Sequence, residues 1–315
     1  MIVRVLLPKD LCAILEMIND SEPGDENMIT GFAHNALKVS DMQKSLHFYR
    51  DLAGLEKAFE INDPQNNPWI VYLKVCGGKF LELFYGGVQD PCNHYAGDLT
   101  GYHHFCFEVD DIREVCRKMK ENGLLEDSEP FEGKDGNLSC WTHDPDGNAV
   151  EFVQYMPGSS HLQYEGDSLG GAPVDAPRSG GHTLKGIAHI SFVVEDMERA
   201  LNFYCGILGL KKAFEKDWEG KPWLVYVNVA PRQYIELFYG GRRKYRNPDA
   251  AGGDHLCFEV SDIHEIAERL SGNGVPLDVK PVQGRDTNYQ CWAKDPDGNR
   301  IEFMKLSPGS PQSRA

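Results

Sequence analysis

Short runs in which apolar and polar residues alternate recur along the chain: FAHNALKV from Phe32, HFCFEV from His104, IAHISFVV from Ile187 and HLCFEV from His255. Alternation with a period of two places successive side chains on opposite faces of a strand. Apolar positions at three- and four-residue spacing follow: Leu46, Tyr49 and Leu52; Ile112, Val115, Cys116 and Met119; Leu201, Tyr204 and Leu208. That spacing predicts helices with one buried face. Asp41 and Asp196 stand where a helix cap is needed, Gly54 and Gly209 where a helix stops, and Asn122-Gly123 ends the second stripe, as Asn273-Gly274 does at the equivalent place in the second half. The Asp-Pro-Asp-Gly tetrads at Asp144 and Asp295 carry turn chemistry ahead of a last strand. The pattern predicts four strand-helix-strands units.

These units fall into two homologous halves. WIVYLKVCGGKFLELFYGG from Trp69 and WLVYVNVAPRQYIELFYGG from Trp223 share ten of nineteen positions at an offset of 154. WTHDPDGNAVEF from Trp141 likewise returns as WAKDPDGNRIEF from Trp292. The expected organisation is an N-terminal appendage over 1–30, a first domain over 31–156, a Gly/Pro/Ser-rich linker over 157–185, a second domain over 186–306 and a tail over 307–315. Within the appendage, Leu11 to Met17 suits a short helix.

With 32 Lys and Arg against 48 Asp and Glu, the formal net charge of −16 argues against nucleic acid as a partner. No uncharged apolar stretch reaches membrane-spanning length, and Pro8 and Lys9 interrupt the start too early for a secretory segment, so a cytoplasmic protein is expected. Nine cysteines, odd in number and without Cys-x-x-Cys spacing, read as reduced thiols.

The candidate chemistry lies in a spacing that appears four times. His34 and Glu82, His104 and Glu151, His189 and Glu236, and His255 and Glu302 are separated by 48, 47, 47 and 47 residues. Each His or Glu lies on the strand face opposite the larger apolar residues, so packing of that apolar face turns the polar one toward a cavity. Carboxylates in a cavity need a partner. Two imidazoles and two carboxylates suit a first-row divalent metal and leave two positions of an octahedron open.

The motifs His-x-x-x-x-V-x-D-M, I/L-E-L-F-Y, His-x-x-F-E-V and D-P-D-G-N-x-x-E-F resemble the vicinal oxygen chelate superfamily, and within it the glyoxalase I branch. The resemblance implies an α+β fold of four βαβββ modules forming two curved-sheet, barrel-like domains. It implies that all eight residues are metal ligands, with up to two divalent ions (Ni, Co, Zn, Mn or Fe) per chain. Whether neighbouring or crossed modules share a metal stays open, since both pairings give two His and two Glu. The implied activity is that of a lyase or isomerase moving a proton through a metal-stabilised enediolate on a small vicinal-oxygen substrate. Glu82 or Glu151, and Glu236 or Glu302, would be the base. Where glutathione-dependent members carry Arg and Asn, this chain has Lys38 and Val193, then Gly86 and Gly240. A substrate other than a glutathione adduct is therefore at least as well matched. The alternatives are an extradiol-type Fe(II) dioxygenase using a set such as His189, His255 and Glu302, and a metal-free small-molecule binding or resistance protein. A monomer or homodimer is expected.

Other recurrent residues receive structural readings. Glu108 and Glu259 suit solvated strand ends, Cys106, Cys257, Cys140 and Cys291 a small-residue core, and Trp69, Trp141, Trp223 and Trp292 mostly core with one per half lining a pocket. His103 is out of phase with His104, and the unmatched His47, His94, His143, His161, His182 and His264 read as surface. Arg242-Arg243-Lys244 reads as a solvated loop.

Overall fold

A computed structural model of the chain describes residues 28–89, 99–125, 129–165, 184–242, 247 and 249–315. The expected helix at Leu11 to Met17, together with His94, His182, Arg243 and Lys244, lies outside them. Each repeat unit folds as one strand, one helix and three strands. The first comprises β1 (Ile29–Lys38), α1 (Met42–Leu46), β2 (Glu56–Asn62), β3 (Pro68–Cys76) and β4 (Lys79–Phe84). The second comprises β5 (Gly101–Val109), α2 (Ile112–Glu121), β6 (Phe131–Glu132), β7 (Leu138–His143) and β8 (Ala149–Gln154), followed by α3 (Ser160–Glu165). The third comprises β9 (Leu184–Val193), α4 (Met197–Leu201), β10 (Lys211–Trp218), β11 (Lys221–Ala230) and β12 (Gln233–Phe238). The fourth comprises β13 (Gly252–Val260), α5 (Ile263–Gly272), β14 (Val279–Gln283), β15 (Tyr289–Lys294) and β16 (Arg300–Lys305), and α6 (Pro311–Arg314) ends the chain.

The helices begin where the capping residues stand. The Asp41 carboxylate accepts from the amides of Gln43 and Lys44, and Asp196, Asp111 and Asp262 cap α4, α2 and α5 in the same way. Past α1 and α4 the backbone widens into π-helical turns, His47–Leu52 and Asn202–Ile207. These turns keep Phe48, Tyr49, Phe203 and Tyr204 buried.

The strands form two eight-stranded mixed sheets, and their order settles which modules pair. One sheet runs β14-β15-β16-β13-β1-β4-β3-β2 and the other β10-β11-β12-β9-β5-β8-β7-β6. The first module thus joins the fourth, and the second joins the third, through the antiparallel pairs β1–β13 and β5–β9. Within a module, the first strand runs parallel to the last. Each sheet draws on both sequence halves.

One apolar cluster takes in Phe32, Leu37, Phe105, Phe107, Phe152, Ile190, Phe192, Leu256, Phe258 and Phe303, from both sheets, together with the buried faces of the helices. At a period of two, the opposite faces of these strands carry the His and Glu residues. The repeated Tyr-Gly-Gly after β4 and β12 has a packing cause. A Cβ on Gly87 would lie 2.8 Å from the carbonyl carbon of Val39, and one on Gly241 would lie 2.8 Å from the carbonyl oxygen of Val194.

The helices α3 and α6 occupy segments that read as linker and tail. They are equivalent: Pro157-Gly-Ser and Pro308-Gly-Ser precede them, and His161 and Gln312 turn inward from them. His161, expected at the surface, is buried, with Nδ1 3.3 Å from Asp135 and its ring among Tyr155, Phe214, Tyr226 and Tyr234. Gln312 holds the matching Asp286 at 2.6 Å.

Candidate metal centres

The strand register brings the eight predicted residues together in two groups of four. In the first sheet, one row crosses β4, β1 and β13 as Glu82, Ala36 and His255, and the next crosses β1, β13 and β16 as His34, Cys257 and Glu302. In the second sheet the rows are Glu236, Ser191 and His104, then His189, Cys106 and Glu151. The residue between the functional side chains of each row is small. Cys106 and Cys257 are buried as expected, and their position explains their recurrence, since a larger side chain there would fill the space between the imidazoles and carboxylates.

In the first centre, His34 Nε2 lies 3.0 Å from His255 Nε2 and 2.9 Å from Glu302 Oε2, which is itself 3.3 Å from His255 Nε2. Glu82 instead meets the other nitrogen of His34, with Oε1 3.1 Å from Nδ1. That approach lacks hydrogen-bond geometry, and His34 Nδ1 is left buried without a partner. In the second centre, His104 Nε2 lies 3.0 Å from His189 Nε2 and 3.3 Å from both Glu151 Oε2 and Glu236 Oε2, and His189 Nε2 lies 2.9 Å from Glu151 Oε2. All eight residues are buried.

Burial and neighbours separate the carboxylates electrostatically. Burial is the largest influence on Glu82 and raises it well above the usual carboxylate range, because His34 and His255 compensate only in part and Glu302 opposes. Burial would also raise Glu302, but hydrogen bonds from His255 and His34 outweigh it and hold that group low. Glu151 is held low against burial by His189 and His104.

The first centre is the floor of a cavity of about 390 Å³, and Glu151 and Glu236 of the second line a cavity of about 290 Å³. All four recurrent tryptophans line these cavities and none is core: Trp69 and Trp292 the first, Trp141 and Trp223 the second. Trp292 and Trp141 sit directly across from Glu302 and Glu151, and Tyr72 and Tyr226 across from Glu82 and Glu236. Lys38, Arg285 and Arg300 bring positive charge to the first cavity, and Lys134 and Lys216 to the second.

Three further readings change. Glu108 is buried and paired with Arg232, whose Nε is 2.9 Å away, and Glu259 is paired with Lys79 at 2.5 Å, so neither is a solvated strand end. His103 enters the second cavity after all, with Nδ1 2.7 Å from His104 Nδ1, and Asp254 takes the equivalent place beside His255. Ser191, Tyr72 and Tyr226 did not stand out in the sequence as site residues. His103 and Asp254 were marked by their place immediately before a recurrent His, but strand phase argued against His103 as a ligand. His47, His143 and His264 are exposed as expected.

The donor sets fit a divalent cation. In each centre two imidazole Nε2 atoms 3.0 Å apart and a carboxylate oxygen converge in a buried site. Such a set is poorly satisfied by hydrogen bonds alone and well satisfied by an ion that takes nitrogen and oxygen ligands.

Comparison with known proteins follows the same division into halves. The family profile described as the Glyoxalase/Bleomycin resistance protein/Dioxygenase superfamily matches residues 31–152 and again 186–303. A lactoylglutathione lyase of Schizosaccharomyces pombe is 23% identical over 308 residues, covering 86% of this chain and 95% of that enzyme. A lactoylglutathione lyase of Haemophilus influenzae is 27% identical over 134 residues, covering 41% of this chain and 96% of that enzyme. Among solved structures, glyoxalase I from Zea mays superposes with a TM-score of 0.64 at 19% identity, covering 87% of this chain and 92% of that one. A putative dioxygenase from Bacillus subtilis gives 0.66 at 16% identity, covering 90% and 87%. These likenesses are of fold. With both halves matched by the profile, the chain belongs to the Glyoxalase/Bleomycin resistance protein/Dioxygenase superfamily.

Proposed function

We propose that the chain is a metal-dependent lyase or isomerase of the glyoxalase I type. The observation that carries this reading is the convergence of two histidines and a carboxylate that lines an aromatic-walled cavity, once in each sheet. His34, His255 and Glu302 would hold one divalent ion, with Glu82 within reach. His104, His189, Glu236 and Glu151 would hold the other. Such an ion polarises two adjacent substrate oxygens and stabilises negative charge that develops on them.

The residues of the chain supply the proton transfer. Glu82 stands off the converging set, and burial raises its proton affinity toward neutrality, the range in which a carboxylate serves both as base and as acid. In this reading Glu82 takes the proton from the hydroxyl-bearing carbon beside a carbonyl and returns it to the former carbonyl carbon, while the hydroxyl proton passes to the former carbonyl oxygen. Trp69, Trp292 and Phe84 exclude water around the substrate, and Lys38 and Arg285 suit a small substrate bearing an acidic group. The small-molecule partner is accordingly a 2-oxo or 2-hydroxy compound or its thiol adduct.

The test is exchange of the substrate's carbon-bound hydrogen with deuterated water, followed by NMR on hemithioacetals and 2-hydroxycarbonyl compounds. The metal-loaded chain is expected to exchange and isomerise at least one class, and Glu82→Gln to lower the contribution of the first centre by a factor on the order of 10² to 10⁴. Loaded protein that exchanges none of them would refute the reading. A second reading rests on the same convergence, because two histidines and one carboxylate are also the ligand set of non-haem Fe(II) oxygenases. Oxygen uptake with catechols by the iron-loaded chain would favour it.

A further inference from the structure

The two centres share a ligand set but differ in what stands behind one histidine of each. In the first, Asp254 Oδ2 lies 2.8 Å from His255 Nδ1 and 2.8 Å from Arg300 Nη1, and Arg300 stacks on Trp292 with 4.5 Å to the ring centroid. A carboxylate only accepts, so His255 Nδ1 carries a proton toward Asp254, which leaves Nε2, the nitrogen that faces His34 and Glu302, as the one a cation would take. Ala36, the neighbour in the same row, offers no competing polar atom.

In the second centre the corresponding groups form a relay of opposite sense. Ser191, which replaces Ala36, donates to Glu236 Oε2 at 2.5 Å and lies 3.0 Å from His104 Nε2. With its proton committed to Glu236, the Ser191 oxygen is an acceptor toward His104. His103 Nδ1 lies 2.7 Å from His104 Nδ1, and a neutral imidazole can donate there. Every contact of this relay is satisfied when His104 carries its proton on Nε2, the nitrogen that would have to bind a cation. Ala33 and Ala188 precede His34 and His189, so the polar neighbour immediately before a histidine belongs to the second and fourth modules, and the Ala36-to-Ser191 difference to the first and third.

We propose that Asp254 is a positioning residue that presents His255 as a ligand, and that the first centre consequently binds divalent cations at least tenfold more tightly than the second. The inference rests on the metal-dependent reading. Groups behind a ligating histidine commonly change metal affinity by about 10- to 100-fold.

Titration of the chelator-stripped full chain with Co²⁺, read by its visible absorption and by competition with a chromophoric chelator, tests it. Two classes of site are expected. Asp254→Asn should weaken the tight class by about 10- to 100-fold and leave the weak class unchanged. His103→Asp with Ser191→Ala should tighten the weak class, a gain that no folding defect can mimic. Two equal classes in the unaltered chain, or an Asp254→Asn chain whose tight class is unchanged, would overturn the proposal while leaving metal binding intact. A chain that takes up no Co²⁺ would overturn the metal-dependent reading and this inference with it.

Discussion

At the scale of single residues, both centres are built from buried ionisable groups that satisfy one another only in part. For His255 burial alone would lower the imidazole, but Asp254 and Glu302 raise it from 6.5 to about 9 in the metal-free chain. Because the folded value lies above the unfolded one, the stabilisation is full below about pH 6.5 and is lost as pH rises through about 9. A bound cation displaces that proton. Melting curves should therefore show the metal-free chain losing stability between pH 6.5 and 9, while the gain in Tm on adding cation grows over the same interval. A gain that shrinks with pH would contradict this. Tyr49 gives a second test away from the centres, since its hydroxyl donates at 2.7 Å to the buried Asp144 of the Asp-Pro-Asp-Gly turn. Tyr49→Phe is expected to cost about 1–3 kcal/mol in denaturant unfolding, because the carboxylate loses a partner without regaining water.

At the scale of elements, local sequence and tertiary packing divide the work. Asp41 and Asp196 cap helices of only five residues before the π-helical turns, so most of their stability comes from the buried faces. Asp41→Ala is expected to cost about 1 kcal/mol. Gly87→Ala should cost about 1–3 kcal/mol, because its Cβ meets backbone that cannot yield, whereas Gly272→Ala, with nothing within 4 Å, should be neutral or slightly stabilising. Thermal unfolding of the two variants side by side checks the contrast. The helices, the turns and the face bearing each His and Glu were legible in the sequence, because periods of two and 3.6 report local geometry directly. The tryptophans misled because large aromatic residues at strand positions suit a core and a cavity wall equally. The short helices α3 and α6 were hidden because four to six residues give no period, and only the repeated Pro-Gly-Ser before them betrays their equivalence.

At the scale of the whole molecule, the crossed pairing of modules makes each centre a property of both halves. Alternation along a strand cannot reveal it, since neighbouring and crossed pairing place the same side chains on the same faces. Contacts that span modules do record it: Lys79 of the first with Glu259 of the fourth, and Arg232 of the third with Glu108 of the second. The most direct test is the number of divalent ions retained per chain after dialysis, measured by elemental analysis in paired histidine variants. The unaltered chain should hold two. His34→Ala with His255→Ala should damage one centre twice and leave one ion, whereas His34→Ala with His104→Ala should damage both centres and leave none. The reverse result, none for the first pair and one for the second, would contradict the account, as would an unaltered chain that retains no metal.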